Sequence, residues 1–139
     1  MRFSYMIVRL ILGSVALVAI SFVVMPFTAL AQDVGAGEKS FNKCRACHQV
    51  GETAKNTVGP IMNGLFGRKS GTVEGYNYSE ANKSAALTWD EAVFADYIKD
   101  PKSKIPGTKM VFAGIKNEQE IKDLTAFLKQ FGKDGKKSN

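Results

Sequence analysis

The feature that most constrains this chain is one short segment, Cys44-Arg45-Ala46-Cys47-His48. The sequence has two cysteines and one histidine, and this segment contains all three. A Cys-x-x-Cys-His sequence is the attachment motif of a c-type haem. Two thiols at that spacing can form thioethers with the two vinyl groups of one porphyrin, and the adjacent imidazole is then held at the iron as an axial ligand. We therefore expect one covalently bound haem c.

Other uses of a Cys-x-x-Cys pair fit this sequence less well. A structural zinc site needs four side-chain ligands, and the cysteines and the histidine supply only three. A thioredoxin-like redox pair starts a helix in a βαβ unit, but no strand pattern precedes Cys44. A structural disulfide between these cysteines would close a tiny loop, which restricts the unfolded chain very little.

Residues 1–31 have the pattern of a secretory signal peptide. Residues 1–9 carry two arginines and no acid, residues 10–25 are mostly apolar, and Ala29 and Ala31 end the segment. This pattern predicts cleavage before Gln32 and export to a bacterial periplasm. The alternative is an uncleaved membrane anchor facing the periplasm, because the apolar run approaches the length needed to cross a bilayer.

Residues 32–139 are expected to form one domain. The chain is 45% apolar and 23% charged, which is typical of a globular protein rather than of a disordered segment. Glycine and proline are frequent between residues 51 and 75, and this predicts a long connection rich in turns. The lysine-rich end, from about residue 133, is expected to be a frayed tail.

Three segments have the features of helices, and none has the alternation typical of a strand. The first helix is predicted at about 36–43. The second begins with Thr88 as its N-cap and stops at Pro101, and the third begins with Asn117 as its N-cap and ends before Gly132. The predicted fold class is therefore all-α, with short helices and long loops wrapped around the haem.

Two methionines outside the leader, Met62 and Met110, are candidates for the second axial ligand of the haem iron. Met110 lies in a loop with proline and glycine, between two predicted helices, and such a loop can cross the haem face opposite His48. We favour Met110, because Met62 lies only 14 residues from His48 within the glycine-rich connection. A methionine there is more often a core side chain than a ligand. The neighbouring Lys109 is an alternative ligand at high pH, where its ammonium loses a proton.

Residues 37–131 resemble a class I c-type cytochrome, close to mitochondrial cytochrome c and its soluble bacterial relatives. In that family the first and last helices pack against each other. Three positions depart from the mitochondrial pattern: Ser103 and Lys104 stand where that pattern favours a lysine followed by an aromatic residue, and Asn56 replaces a histidine. Details of the docking surface and one loop contact are therefore expected to differ. Besides the haem motif, the resemblance includes Gly37, Phe41, Trp89, Tyr97, Pro101 and the segments 58–60, 64–71, 75–82 and 105–110.

The resemblance implies roles for particular residues. His48 and Met110 are the axial ligands of the iron, and Cys44 and Cys47 are its covalent anchors. A buried propionate accepts hydrogen bonds from a tyrosine and a tryptophan with an arginine nearby, while an asparagine, a tyrosine and a threonine order the polar side of the pocket. In the same order, these six residues are Tyr78, Trp89, Arg68, Asn82, Tyr97 and Thr108.

A haem iron with both axial positions filled has no open position for a substrate, so we expect one-electron transport rather than enzyme catalysis. A haem peroxidase would need a vacant position and distal acid-base groups, and the chain has no second histidine. By the resemblance, the electron donor is a membrane quinol:cytochrome c oxidoreductase of a respiratory chain. The acceptor is a terminal cytochrome c oxidase or, in a phototroph, a reaction centre.

The formal net charge of +6 favours acidic partners. We expect docking through lysines around the exposed haem edge, although the same lysines would also suit a merely solvated face. Nucleic-acid binding is not expected, because the domain is exported and its basic excess is moderate, and we expect a monomer. The docking lysines are Lys43, Lys55, Lys102, Lys109 and Lys116.

Overall fold

The computed structural model describes residues 31–138, so the leader, apart from Ala31, lies outside the described residues. Within this range the chain forms no strand, only two isolated bridges, and the all-α prediction is confirmed. None of the helices in these residues is both long and apolar enough to cross a bilayer. The helices are α1 Val34–Phe41, α2 Glu80–Ser84, α3 Glu91–Lys99, α4 Pro101–Lys104 and α5 Glu118–Lys129.

α1 begins two residues earlier than predicted. The side chain of Asp33 caps it by accepting a hydrogen bond from the amide of Ala36 at 3.0 Å. After Phe41 the chain continues in tight turns, in which the Cys44 amide donates to the Phe41 carbonyl and the His48 amide to the Cys44 carbonyl. These turns bring the haem motif directly off the end of α1.

The start of α3 was predicted wrongly. Thr88 is not its N-cap, because Thr88 forms an antiparallel bridge with Lys69 and is held extended. The cap is Asp90, whose carboxylate accepts a hydrogen bond from the Val93 amide at 2.7 Å. The pairing of Thr88 with Lys69, which lies far from it in the sequence, therefore overrides the local capping pattern.

Pro101 follows the end of α3, as predicted, but it also begins another helix. Asp100 ends α3 and caps α4, with its side chain accepting a hydrogen bond from the Ser103 amide at 3.1 Å. Proline suits the first position of α4, because its missing N–H would have no partner inside the helix. α2 also lacks a sequence prediction, since five residues are too few to show a helical period.

α5 begins as predicted. The side chain of Asn117 accepts a hydrogen bond from the Glu120 amide at 2.9 Å, and the helix ends at Lys129, shortly before Gly132. One face of α5 supplies much of the apolar core, and its buried apolar residues are Ile121, Leu124, Phe127 and Leu128.

α1 and α5 pack closely where they cross. A Cβ atom on Gly37 would lie closer than 3.0 Å to the carbonyl oxygen of Asp123, so only glycine allows this approach. The rings of Phe41 and Phe127 lie next to the crossing, with centroids 5.4 Å apart. At the edge of the contact, Glu120 accepts hydrogen bonds from Ser40 and Lys43, and these bonds lower the pKa of the Glu120 carboxyl.

The end of the described chain, up to Ser138, is folded rather than frayed. Phe131 and Lys137 form an antiparallel bridge, and the amide of Ser138 donates to the Gln130 carbonyl at 2.8 Å. The ammonium group of Lys137 lies 5.5 Å from the centre of the Phe131 ring. The prediction was wrong because the lysine-rich composition does not show that this segment turns back on the buried end of α5.

Replacing Gly37 with alanine is expected to destabilise the protein by about 2 kcal/mol, because the added methyl group would push α1 away from α5. Urea unfolding of the haem-containing protein measures this change. Gly35→Ala is the control, since a Cβ there meets only the side-chain oxygen of Asp33, at 3.3 Å. Equal stability of the two variants would contradict the close crossing.

Candidate functional site

A cavity of about 230 Å³ lies inside the fold. Its wall includes apolar side chains from distant parts of the chain. Among them are Phe41 of α1, Leu128 of α5 and the loop residue Leu65. Every residue that the sequence analysis assigned to the haem site contributes to this wall. These residues are Cys44, Cys47, His48, Arg68, Tyr78, Asn82, Trp89, Tyr97, Thr108 and Met110.

Cys44 and Cys47 reach the cavity from the turns after α1. Both side chains are partly buried, and neither forms a disulfide. Burial raises the pKa of the Cys44 thiol to about 11, so this thiol is protonated at neutral pH. Two thiols in one turn at the wall of an apolar cavity suit attachment to a flat apolar ring.

The His48 imidazole is held by the backbone that follows it. Its Nδ1 atom lies 2.8 Å from the carbonyl oxygen of Pro60. Because a carbonyl can only accept, Nδ1 carries the proton and Nε2 keeps a lone pair. Burial lowers the pKa of His48, and the ring is therefore neutral, the form that binds a metal.

Gly59 makes this position of the ring possible. A Cβ atom at Gly59 would lie closer than 3.0 Å to three atoms of the His48 ring. Gly59 and Pro60 belong to segment 58–60 of the family resemblance, but no role was predicted for either of them. The spacing of residues does not reveal that a particular backbone carbonyl will orient a ligand.

Asn56 holds the loop that runs from His48 to Ile61 with side-chain hydrogen bonds. The Asn56 side chain accepts a hydrogen bond from the Ile61 amide at 3.0 Å and donates one to the Glu74 carbonyl at 2.9 Å. The asparagine that departs from the mitochondrial pattern therefore keeps two contacts of its own, one of them within this loop.

Met110 reaches the cavity from the loop after α4. The hydroxyl of Tyr97 donates a hydrogen bond to the Met110 sulfur at 3.1 Å, and the Met110 amide donates to the Thr108 hydroxyl at 3.2 Å. The adjacent Lys109 reaches the backbone carbonyl of Asn77 at 3.3 Å. The thioether is thus held by a buried tyrosine, whereas the lysine is occupied elsewhere.

Met62 also lines the cavity. It lies two residues after Pro60, the partner of the His48 ring, and its amide donates to the Gln49 carbonyl at 2.9 Å. No described side chain donates a hydrogen bond to the Met62 sulfur, in contrast to the sulfur of Met110. The two methionines therefore differ in that only the Met110 sulfur accepts a hydrogen bond from a described side chain.

Arg68 supplies positive charge to the cavity wall. Its guanidinium donates to the backbone carbonyls of Asn63 at 2.8 Å and Ile61 at 3.2 Å. Among the described residues no carboxylate pairs with it, and burial lowers its pKa. Tyr78 contributes to the same wall, and burial raises the pKa of its phenol.

The remaining polar residues complete the same cavity. The rings of Trp89 and Tyr97 meet edge to face, with centroids 4.9 Å apart, and the Asn82 side chain accepts a hydrogen bond from the Ser79 hydroxyl at 2.9 Å. An apolar wall with a guanidinium and phenol groups fits a haem, whose ring is apolar and whose two propionates are anionic.

The predicted docking lysines differ in their surroundings. Lys43 and Lys109 contribute to the cavity wall, but Lys43 pairs with Glu120 at 2.5 Å. The other four lysines of the set have no carboxylate partner among residues 31–138. Two apolar side chains of the same wall, Val58 and Val111, are 73% and 89% exposed.

Known proteins are similar to this chain in sequence. The family described as Cytochrome c matches residues 34–132. Cytochrome c2 of Blastochloris viridis is 60% identical over 109 residues, which are 78% of this chain and 86% of that protein. Cytochrome c-550 of Bradyrhizobium diazoefficiens is 68% identical over 101 residues, 73% of this chain and 74% of that protein.

A solved structure has the same fold. Cytochrome cH from Methylobacterium extorquens superposes with a TM-score of 0.67 at 46% sequence identity, and the match covers 70% of this chain and 98% of that one. The family match, these identities and the cavity lined by Cys44, Cys47 and His48 agree with one another. The chain belongs to the cytochrome c family, as an electron carrier with one covalently bound haem c.

Proposed function

We propose that this protein carries single electrons from a membrane quinol:cytochrome c oxidoreductase to a terminal oxidase or a reaction centre. The observation that carries the proposal is that His48 and Met110 line one cavity together with Cys44 and Cys47. The cysteines would anchor the haem covalently, and the histidine and the methionine would hold its iron. The bound haem supplies a one-electron Fe(III)/Fe(II) couple.

The residues around the ligands keep the site the same in both oxidation states. Pro60 orients the His48 ring so that Nε2 is the donor atom, and Tyr97 holds the Met110 sulfur with its hydroxyl. A thioether ligand favours the ferrous state and raises the reduction potential. With both positions occupied, the site has no place for a substrate, and the protein transfers electrons without catalysing a reaction.

The polar wall has a second role in this proposal. Arg68 and Tyr78, with Trp89, bind a haem propionate, because a partly buried carboxylate needs a cation and hydrogen-bond donors. Asn82, with Thr108, orders the groups around the Tyr97 hydroxyl.

Met110→Ala is expected to lower the reduction potential by about 0.1–0.2 V and to let cyanide bind rapidly, because it removes the thioether ligand. The optical spectrum of the oxidised protein should also lose the weak near-red band of methionine on ferric haem. Met62→Ala is the matched control, and it should cost about 1–2 kcal/mol of stability without changing the spectrum. The reverse pattern would make Met62 the ligand.

Docking on the redox partners uses the surface where the cavity opens. Val58 and Val111 supply exposed apolar area there, and Lys109 supplies positive charge without a carboxylate partner among the described residues. Interfaces between redox proteins are small and depend on salt, which suits rapid release. Lys43 contributes less, since Glu120 offsets its charge.

Lys109→Gln is expected to slow reduction by a purified quinol:cytochrome c oxidoreductase about two- to threefold at low ionic strength, because one steering charge is removed. Stopped-flow rates at several salt concentrations measure this effect, which should shrink as salt rises. Lys122→Gln carries the same charge change on an exposed residue of α5 outside the cavity wall, and it should change the rate little. Equal slowing in both variants would contradict docking at the cavity mouth.

We further propose that residues 1–31 are a cleaved leader and that the mature protein works in the periplasm. The support is the order of basic residues, apolar run and Ala29-x-Ala31 in the sequence. N-terminal sequencing of protein isolated from the periplasm should begin at Gln32. A chain that began at Met1 and sedimented with membranes would instead be an anchored carrier.

A further inference from the structure

The last turn of the chain, residues 132–138, forms a folded unit that we call the C-terminal clip. The Gly132 amide donates to the Lys136 carbonyl at 2.9 Å, and the Gly135 amide donates to the Gly132 carbonyl at 3.0 Å. Lys137 connects the clip to α5, because its ammonium group lies 6.0 Å from the centre of the Phe127 ring of that helix as well as over the Phe131 ring. None of the residues of the clip lines the haem cavity.

The clip nevertheless touches the start of the loop that follows His48. Gly135 is buried and has a φ of +78°. A Cβ atom on Gly135 would lie closer than 3.0 Å to the Gly51 carbonyl and to the side-chain nitrogen of Asn63. The backbone of the clip therefore rests directly on Gly51.

Asn63 joins the two ends of this loop, residues 51–64. Its side-chain oxygen accepts a hydrogen bond from the Gly51 amide, and its side-chain nitrogen donates to the Gly51 carbonyl, both at 2.9 Å. The next residue, Gly64, donates its amide to the Phe131 carbonyl at 3.0 Å. A Cβ on Gly64 would meet the backbone and side chain of Lys133. Phe131, which follows α5, and the clip thus contact both ends of the loop 51–64.

This loop is the one that orients the proposed haem ligand. It contains Gly59, which packs on the His48 ring, and Pro60, which accepts the hydrogen bond from His48 Nδ1. Such a hydrogen bond fixes the orientation of a ligating imidazole and raises its donor strength. A loop whose ends can move would hold its middle less firmly.

We propose that the C-terminal clip positions His48 by closing the loop 51–64, with Gly135 as the positioning residue. The inference rests on the proposed ligation of the iron by His48. Weaker closure lengthens the average distance from Nδ1 to the Pro60 carbonyl, so the imidazole becomes a poorer donor. Ferric iron needs that donation more than ferrous iron does, and the reduction potential rises.

Gly135→Ala tests the clip in the full-length, haem-containing protein. The variant is expected to speed hydrogen exchange at the amides of Gly59 and Met62 about tenfold, while the amide of Ile115, bonded to Ile98, stays unchanged. The reduction potential should rise at the same time. A general loss of stability would instead speed all three amides together.

Gly67→Ala is the matched control. Gly67 has a φ of +85°, so alanine meets the same backbone strain there, but a Cβ at Gly67 has no atom within 4 Å. Only Gly135→Ala should alter the loop and the potential. If Gly135→Ala behaved like the control, the clip would not hold the loop and the proposal would be wrong.

If Gly135→Ala does not fold, two milder variants test the same proposal. Lys137→Ala removes the side chain that lies over Phe131, whereas Lys136→Ala removes an equal charge one residue away. Only Lys137→Ala should speed exchange at Gly59 and raise the potential. Faster exchange with an unchanged potential would show that His48 is not the ligand being positioned, and unchanged exchange would overturn the clip itself.

Discussion

The close approach of α1 to α5 at Gly37 is the contact on which the rest of the fold depends. It joins the two helices nearest the ends of the described chain and places the aromatic core beside the turns of the haem motif. Contacts between residues so far apart in sequence carry a large entropic cost, which the buried aromatic rings and aliphatic side chains offset. Because Phe41 and Leu128 line the cavity from opposite helices, the same contact also builds the pocket.

The two proposed axial ligands, His48 and Met110, are supported in different ways. His48 is oriented by backbone groups, the Pro60 carbonyl and the close Cα of Gly59, within a loop that several side chains fasten. Met110 is oriented by a side chain, the hydroxyl of Tyr97, on the neighbouring helix α3. The orientation of His48 therefore depends on how the loop that contains Gly59 and Pro60 is held. The orientation of Met110 depends on how α3 is packed.

The sequence was sufficient for the parts of the structure that depend on local chemistry. The haem motif, the Asn117 cap and the all-α class were predicted because a few adjacent residues determine each of them. The start of α3 was wrong because Thr88 pairs with Lys69, and the tail was wrong because Gly135 rests on Gly51. Both errors involve partners that no local pattern reveals. The role of the Pro60 carbonyl was missed because every residue has a backbone carbonyl, so the sequence does not indicate which one will orient His48.

The wall of the cavity has a consequence for the order in which the chain is made. Leu124 and Leu128 belong to α5, and they enclose the same space as Cys44. A ribosome reaches α5 after every other helix, so this wall is missing until nearly the whole chain has been synthesised. During that time the thiol stays in water and ionises at its ordinary pKa rather than at about 11. The Cys44 thiol thus ionises more readily before the last helix closes over it.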